Sequence, residues 1–196
     1  MSEIEGKYLK LRGETNALDF LEKASQFIKQ TENDHRAWKW VIIALHGALY
    51  GFAICVCQGS TPNNVTTETK RGDKLIGFCE AIERCQKLTK LPRLATARAL
   101  VLTDDQRQSM EFLTKELRNN FEHYIPRFWS IELHGMPKIA IDVLDVLRFL
   151  ALDSGTLLCL NEKERNTVEE LIAESKRFLE NSDLYKEALL LKQSSV

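Results

Sequence analysis

Proline and glycine are scarce in this chain, 4 and 9 in 196 residues, and stretches in which apolar and polar residues alternate are almost absent. The first scarcity leaves no low-complexity tract and no linker that would divide the chain. The second argues against a sheet protein, whose half-buried strands alternate with a period of two. An excess of one charge is also lacking. Lys and Arg number 27 against 28 Asp and Glu, a formal net charge of −1. Bulk attraction to nucleic acid is thereby excluded, so any contact with RNA or DNA must be local. Paired C-x-x-C spacing is missing too: Cys55 and Cys57 form C-x-C in an apolar segment, Cys79 and Cys85 fall in a helical pattern, and Cys159 stands alone. Zinc is not expected, and the five cysteines read as buried, reduced thiols. His35 and His134 occupy cap or loop positions without matching carboxylates, so they predict no metal site. The opening MSEIEGKYLKLRGE has no apolar run of the kind a secretory signal needs, which leads us to expect a cytoplasmic protein in which the sequon at Asn64 stays bare.

What the chain does have is apolar residues at three- and four-residue intervals along most of its length. With 44% hydrophobic and 28% charged residues, the whole of 1–196 reads as one all-α domain, an up-and-down helical bundle with additional short helices. A first helix over about 15–30 carries Leu18, Leu21, Ala24, Phe27 and Ile28 on one face. A second, from about Asp34 to Gln58, is apolar on nearly every side and belongs in the middle of the bundle. The polar stretch 59–72 reads as a mobile loop. A third helix is expected over about 73–90, with Leu75, Ile76, Cys79 and Ile82 inward, followed by a partly helical connector to 102. Thr103 and Gln106 form a capping box that opens a fourth helix. Its buried side runs through Met110, Leu113, Leu117, Phe121 and Tyr124, and Pro126 is expected to end it. Pro137 begins a fifth helix, to about 152, with Ala140, Val143, Leu144 and Leu147 inward. Asn161 caps a sixth over about 162–180, whose charges predict a solvated face with i,i+4 pairs. A last short helix follows, before a frayed tail over about 192–196.

The end of the fourth helix carries the most chemistry. Lys115, Arg118, Asn119, Glu122 and His123 ring one side there among hydrophobic neighbours, and His123 falls in the last turn, where positive charge is favoured. Asn119 and His123 are i,i+4 and share a face; Arg118 lies ~140° from His123 but has the reach to join it. An arginine fork, an amide and an imidazole can grip a phosphodiester and move a proton, the two needs of RNA cleavage by the neighbouring 2′-hydroxyl, with no metal or cofactor. The plainer alternative is that Arg118 pairs with Glu122 at i,i+4 while His123 and Arg127 decorate a helix end.

The run Arg118-Asn119-Asn120-Phe121-Glu122-His123 resembles the R-x4-6-H signature of the HEPN superfamily, including the polar residue after the arginine. WKWVIIALHGALYGF upstream and IPRFWSIELHGMPKIAIDVLDVL downstream resemble an uncharacterised HEPN subgroup of plasmids and mobile elements. The resemblance implies a HEPN-like bundle that dimerises with two motifs facing across a cleft and cuts RNA without metal, leaving a cyclic phosphate and a 5′-hydroxyl. It makes His123 the general base or acid, Arg118 the stabiliser of charge on phosphorus and Asn119 an orienting group. It also implies RNA and a second copy as partners and a toxin or defence setting, with an antitoxin protein as a further partner. Some members of the superfamily only bind, so a non-catalytic regulatory module is the alternative.

Other residues could support such a site. Arg127, Lys115 and Lys138 could guide a phosphate chain, and Trp129 could stack on a base, although surface charge and core packing explain such residues as well. His46, inside the apolar second helix, reads either as a core histidine hydrogen-bonded to a neighbouring helix or as a supporting group behind the active face. Gly47 and Gly51, with Ala44 and Ala48, form a strip that would let another helix approach. The run from Val41 to Cys57 is at the lower edge of a membrane span and is interrupted by His46, so a buried helix is expected and no membrane partner.

Overall fold

The computed structural model describes residues 8–59, 62–69, 72–92, 94–123, 128–157 and 160–193. It is all-α, about 70% helical, with one small two-stranded sheet. Helix α1 (Gly13–Gln30) buries Ala17, Leu18, Leu21, Ala24 and Ile28, a single stripe at the helical period. That stripe lies along α2 (Ala37–Gln58). The glycines of α2 make the approach possible: a Cβ at Gly47 would come within 2.6 Å of the Phe20 ring, and one at Gly51 within 2.8 Å of the Ala17 Cβ. The small-residue strip therefore serves a contact within the chain. Helix α2 is long and apolar enough to cross a membrane, yet 67% of its most apolar window is buried inside the fold. Its cover comes from α1, from α3 (Phe78–Cys85) and from α6 (Met136–Arg148).

The segment after α2 departs from expectation. Where the sequence predicts a loop and then a long helix, a 3-10 turn (Pro62–Val65) leads into an antiparallel hairpin, β1 (Thr66–Thr69) with β2 (Gly72–Leu75), Thr66 facing Leu75 and Thr69 facing Gly72. Leu75 points to solvent and only Ile76 goes inward, its N–H donating to the Val65 carbonyl at 2.9 Å. Helix α3 is thus shorter than predicted. It buries Ile82 and Cys85 but leaves Cys79 exposed, so that cysteine is not the buried thiol the pattern suggested. Cys55, Cys57 and Cys85 are buried, with the Cys57 and Cys85 sulfurs 3.5 Å apart; Cys159 lies outside the described residues. After a short 3-10 turn (Leu88–Lys90), the described part of the connector is irregular, with a turn at Ala95–Thr96 and no helix before Asp104. It is stitched down by Arg98 N–H to the Ser154 carbonyl and Leu100 N–H to the Cys85 carbonyl, each 2.8 Å.

Helix α4 (Asp104–Glu111) opens as predicted: the Thr103 hydroxyl accepts from Gln106 N–H at 3.2 Å and the Gln106 side chain accepts from Thr103 N–H at 3.1 Å. It does not continue as plain α. Phe112–Arg118 is a π-helical stretch, and one α-helical turn, α5 (Asn119–Glu122), completes the element. Helix α6 starts with proline in its first turn and buries Ala140, Val143, Leu144 and Leu147 before a second π-helical turn (Phe149–Asp153). The reciprocal box of Asn161 and Glu164 opens α7 (Glu162–Asn181), and α8 (Asp183–Gln193) follows. The charges of α7 pair with other elements rather than with one another: Glu164 with Arg12, Glu169 with Arg148, Glu174 with Lys29 and Lys176 with Asp145. These cross-links orient α7 over α1 and α6, replacing the i,i+4 pairs expected within it.

Candidate active site

The π-helical stretch packs on α2 and delivers Arg118 to its end. A π turn widens the helix by one residue per hydrogen-bonded ring, a feature frequent at functional sites. Arg118 is held from its own element: Nη1 donates to Asn119 Oδ1 at 3.1 Å, and Nη2 lies 2.6 Å from Glu122 Oε2. The i,i+4 pair of the plainer reading is therefore present. The Arg118 side chain retains 29% of its exposure, so the guanidinium is reachable from solvent. Its Nε, by contrast, is buried without a hydrogen-bond partner among the described residues, as is Thr114 Oγ1 on the same stretch. Buried polar atoms without partners are uncommon, and both belong to the widened turn.

His46 comes to this place from α2. It is 9% exposed, with its ring 4.8 Å from Phe78 and 6.4 Å from Tyr50. Burial first, and then the nearby Arg118 charge, lower its pKa to about 4, so the imidazole is neutral at pH 7. The hydrogen bond to a neighbouring helix expected for a core histidine is not found among the described residues; contact with Phe78 takes its place. Sequence spacing could not bring His46 to Arg118, because the two are joined only through the packing of α2 on the π-helical stretch.

His123 is the residue that ends α5. Its φ of −99° and ψ of 103° are extended, its N–H donates to the Asn119 carbonyl at 2.9 Å, and its side chain is exposed. The helix thus stops at Glu122, earlier than the stop predicted from Pro126. Tyr124, Pro126 and Arg127 lie outside the described residues. Lys115 is exposed, 3.8 Å from Glu111. Lys138 is already committed: its ammonium sits 2.6 and 2.7 Å from the two Asp142 oxygens and 3.2 Å from Asp105. Asp142 also accepts from the Ser109 hydroxyl at 2.6 Å, so Lys138 is part of a structural network and not a free phosphate guide. Trp129 packs on Phe121 of α5, ring centroids 5.3 Å apart, which ties the 128–135 segment to the motif.

Sequence reasoning missed the cavity beside this cluster. Its volume is about 650 Å³, and Gln108, Phe112, Glu116, Asn120 and Trp129 are among its walls. The first four recur at every fourth position. On a regular α-helix such a stripe drifts ~40° per step, and the wider π turn counters that drift. The every-fourth spacing of two carboxamides, a ring and a carboxylate is the signal that could have found it.

Compared with protein-family models, with curated proteins and with solved structures, the chain has no significant match.

Proposed function

We propose that this chain is a metal-independent endoribonuclease of HEPN type, which cuts RNA by attack of the 2′-hydroxyl at a site completed by a second copy of the chain. The observation that carries the reading is the grouping of four motif side chains at one helix end: Arg118 half-buried and gripped by Asn119 and Glu122, with exposed His123 directly after. In this reading the guanidinium faces the phosphate and stabilises the charge that builds on phosphorus. His123 of one copy takes the 2′-hydroxyl proton as the 2′-oxygen bonds to phosphorus. His123 of the other copy gives a proton to the departing 5′-oxygen as the phosphorus–oxygen bond breaks. A cyclic phosphate and a 5′-hydroxyl result. Neutral His46, behind Arg118, adds no competing positive charge to the site. A toxin or defence role, held in check by an antitoxin protein in a reducing cytoplasm, accords with the sequence resemblance and with three buried cysteines.

One observation favours the second reading, a non-catalytic HEPN-like module that binds RNA, a nucleotide or a protein. The Glu122 carboxylate already occupies the Arg118 fork, so a phosphate must compete for it. Incubation of RNA with the purified protein in EDTA, followed by mapping of the product ends, decides between them. We expect cyclic-phosphate ends that are lost in His123→Ala and Arg118→Ala, each with an unchanged circular dichroism spectrum. Intact RNA with wild-type protein, or cutting that survives both substitutions, would refute the nuclease reading.

A further inference from the structure

The cavity beside the motif has the chemistry of a base pocket. Neither Arg118, Asn119 nor His123 lines it, but Asn120, the next motif residue, does. At about 650 Å³ it falls within the range of small-ligand clefts, ~300–1,000 Å³. Phe112 and Trp129 offer ring surface: Phe112 is 43% exposed although it is a large apolar residue, and Trp129 is fixed by its contact with Phe121. Gln108 and Asn120 each carry a carbonyl oxygen and an amide NH₂, the groups that read the edge of a base. Two of the walls are carboxylates, Glu116 and Glu132, and among the described residues no Lys, Arg or His lines the cavity. Such a lining repels a phosphate and admits an uncharged ring carrying N–H donors.

The two carboxylates are not equivalent. Glu132 is turned to its own loop, where it accepts from His134 N–H at 2.7 Å and Gly135 N–H at 3.2 Å. Glu116 makes no ion pair or hydrogen bond among the described residues. A free carboxylate has two acceptor oxygens side by side and pairs best with two adjacent donors. Guanine alone among the four RNA bases presents them, at N1–H and the 2-amino group. Adenine and cytosine set their amino group beside an acceptor nitrogen, and uracil sets its one N–H between two carbonyls.

We infer that this cavity takes an unstacked guanine of single-stranded RNA, stacked against Trp129 or Phe112 and read by Glu116, with the sugar–phosphate chain left outside near Arg118. This deepens the ribonuclease reading and rests on it for the choice of RNA.

The test uses the full chain and short, fluorescently labelled 2′-O-methyl oligonucleotides, which cannot be cut, each with a single guanine, adenine, cytosine or uracil among abasic positions. Polarisation should show guanine bound about tenfold or more tighter than the others, the discrimination that one good bidentate pair gives. Glu116→Gln should abolish that preference, and Trp129→Ala should weaken all four by a similar factor. Equal binding of the four bases, or a guanine preference that survives Glu116→Gln, would overturn the inference. So would variants that change the sedimentation of the protein but leave oligonucleotide binding intact, since the cavity would then be a protein interface. The two readings fail separately. Guanine-selective binding by a protein that never cuts RNA keeps the pocket and removes the nuclease; cutting that ignores both base identity and Glu116→Gln does the reverse.

Discussion

Acidification should weaken this fold through His46. In the unfolded chain a histidine protonates near pH 6.5; in the fold, burial and the Arg118 charge lower the value to about 4. Between these pH values the unfolded state binds a proton that the native state refuses, so stability falls as the pH falls through this window. A difference of about 2.5 units at ~1.36 kcal/mol per unit gives a limit near 3 kcal/mol, with ~2 kcal/mol already lost at pH 5. The perturbation that isolates this loss is His46→Leu, which keeps an apolar contact with Phe78 and cannot titrate. Urea denaturation followed by circular dichroism at pH 7.5, 6.5, 5.5 and 4.5 would be compared for wild type and variant. Carboxylates held low in the fold, such as Glu132, also lose stabilisation in acid, but they do so in both proteins and cancel in the difference. We expect the wild type to lose ~2 kcal/mol or more relative to His46→Leu across the series. Parallel curves would refute the account of His46 as a buried neutral group. Because Arg118 is the second cause of the lowered pKa, Arg118→Gln should make the wild-type loss shallower.

Three further outcomes follow from the geometry. Gly155 sits at φ +70°, and a Cβ there would meet the Thr96 carbonyl oxygen at 1.8 Å; Gly155→Ala should destabilise by ~2–5 kcal/mol in urea unfolding, whereas an effect below 1 kcal/mol (roughly the scale of an ordinary surface change) would show that the contact yields. Glu122→Gln removes the carboxylate that holds the Arg118 fork, so binding of a 2′-O-methyl RNA should strengthen several-fold with a steeper salt dependence; unchanged binding would mean that Arg118 does not contact the phosphate. Among the described cysteines, Cys79 should be labelled by a thiol reagent in the native protein, with Cys55, Cys57 and Cys85 labelled only after denaturation, as read by peptide mass mapping; early labelling of Cys57 would contradict its burial.

The elements most legible in the sequence were those with a buried stripe and a reciprocal cap. Thr103 with Gln106, and Asn161 by itself, marked the starts of α4 and α7, because such caps satisfy helix-end donors by local bonds alone; Glu164 completes the second box in the structure. The hairpin was illegible for the opposite reason: β1 and β2 are exposed on nearly all positions, so no alternation of apolar and polar residues betrays them. Leu75, Ile76 and Cys79 imitate a helical stripe, yet only Ile76 is buried. The end of α5 was misplaced because Pro126 is a strong stop signal, while the actual stop at Glu122 leaves no mark in composition. In the candidate site, Arg118, Asn119 and Glu122 were legible as neighbours within one turn. The approach of His46 depends on which helices pack together, which spacing along one chain does not encode; the pairing of Lys138 with Asp142, at i,i+4 on α6, was written in the spacing and was overlooked.

The widened turn at Phe112–Arg118 stores position as length. A π turn amounts to a helix with one surplus residue, so removing any single residue between Phe112 and Leu117 would let the element close into ordinary α geometry. Because the widened turn absorbs the surplus residue within itself, the motif residues downstream would keep their direction about the helix axis, whereas the same deletion in an ordinary α turn would swing them ~100°. One residue taken from α4 would thus displace the arginine and the histidine together, while one taken from the widened turn would leave them in place.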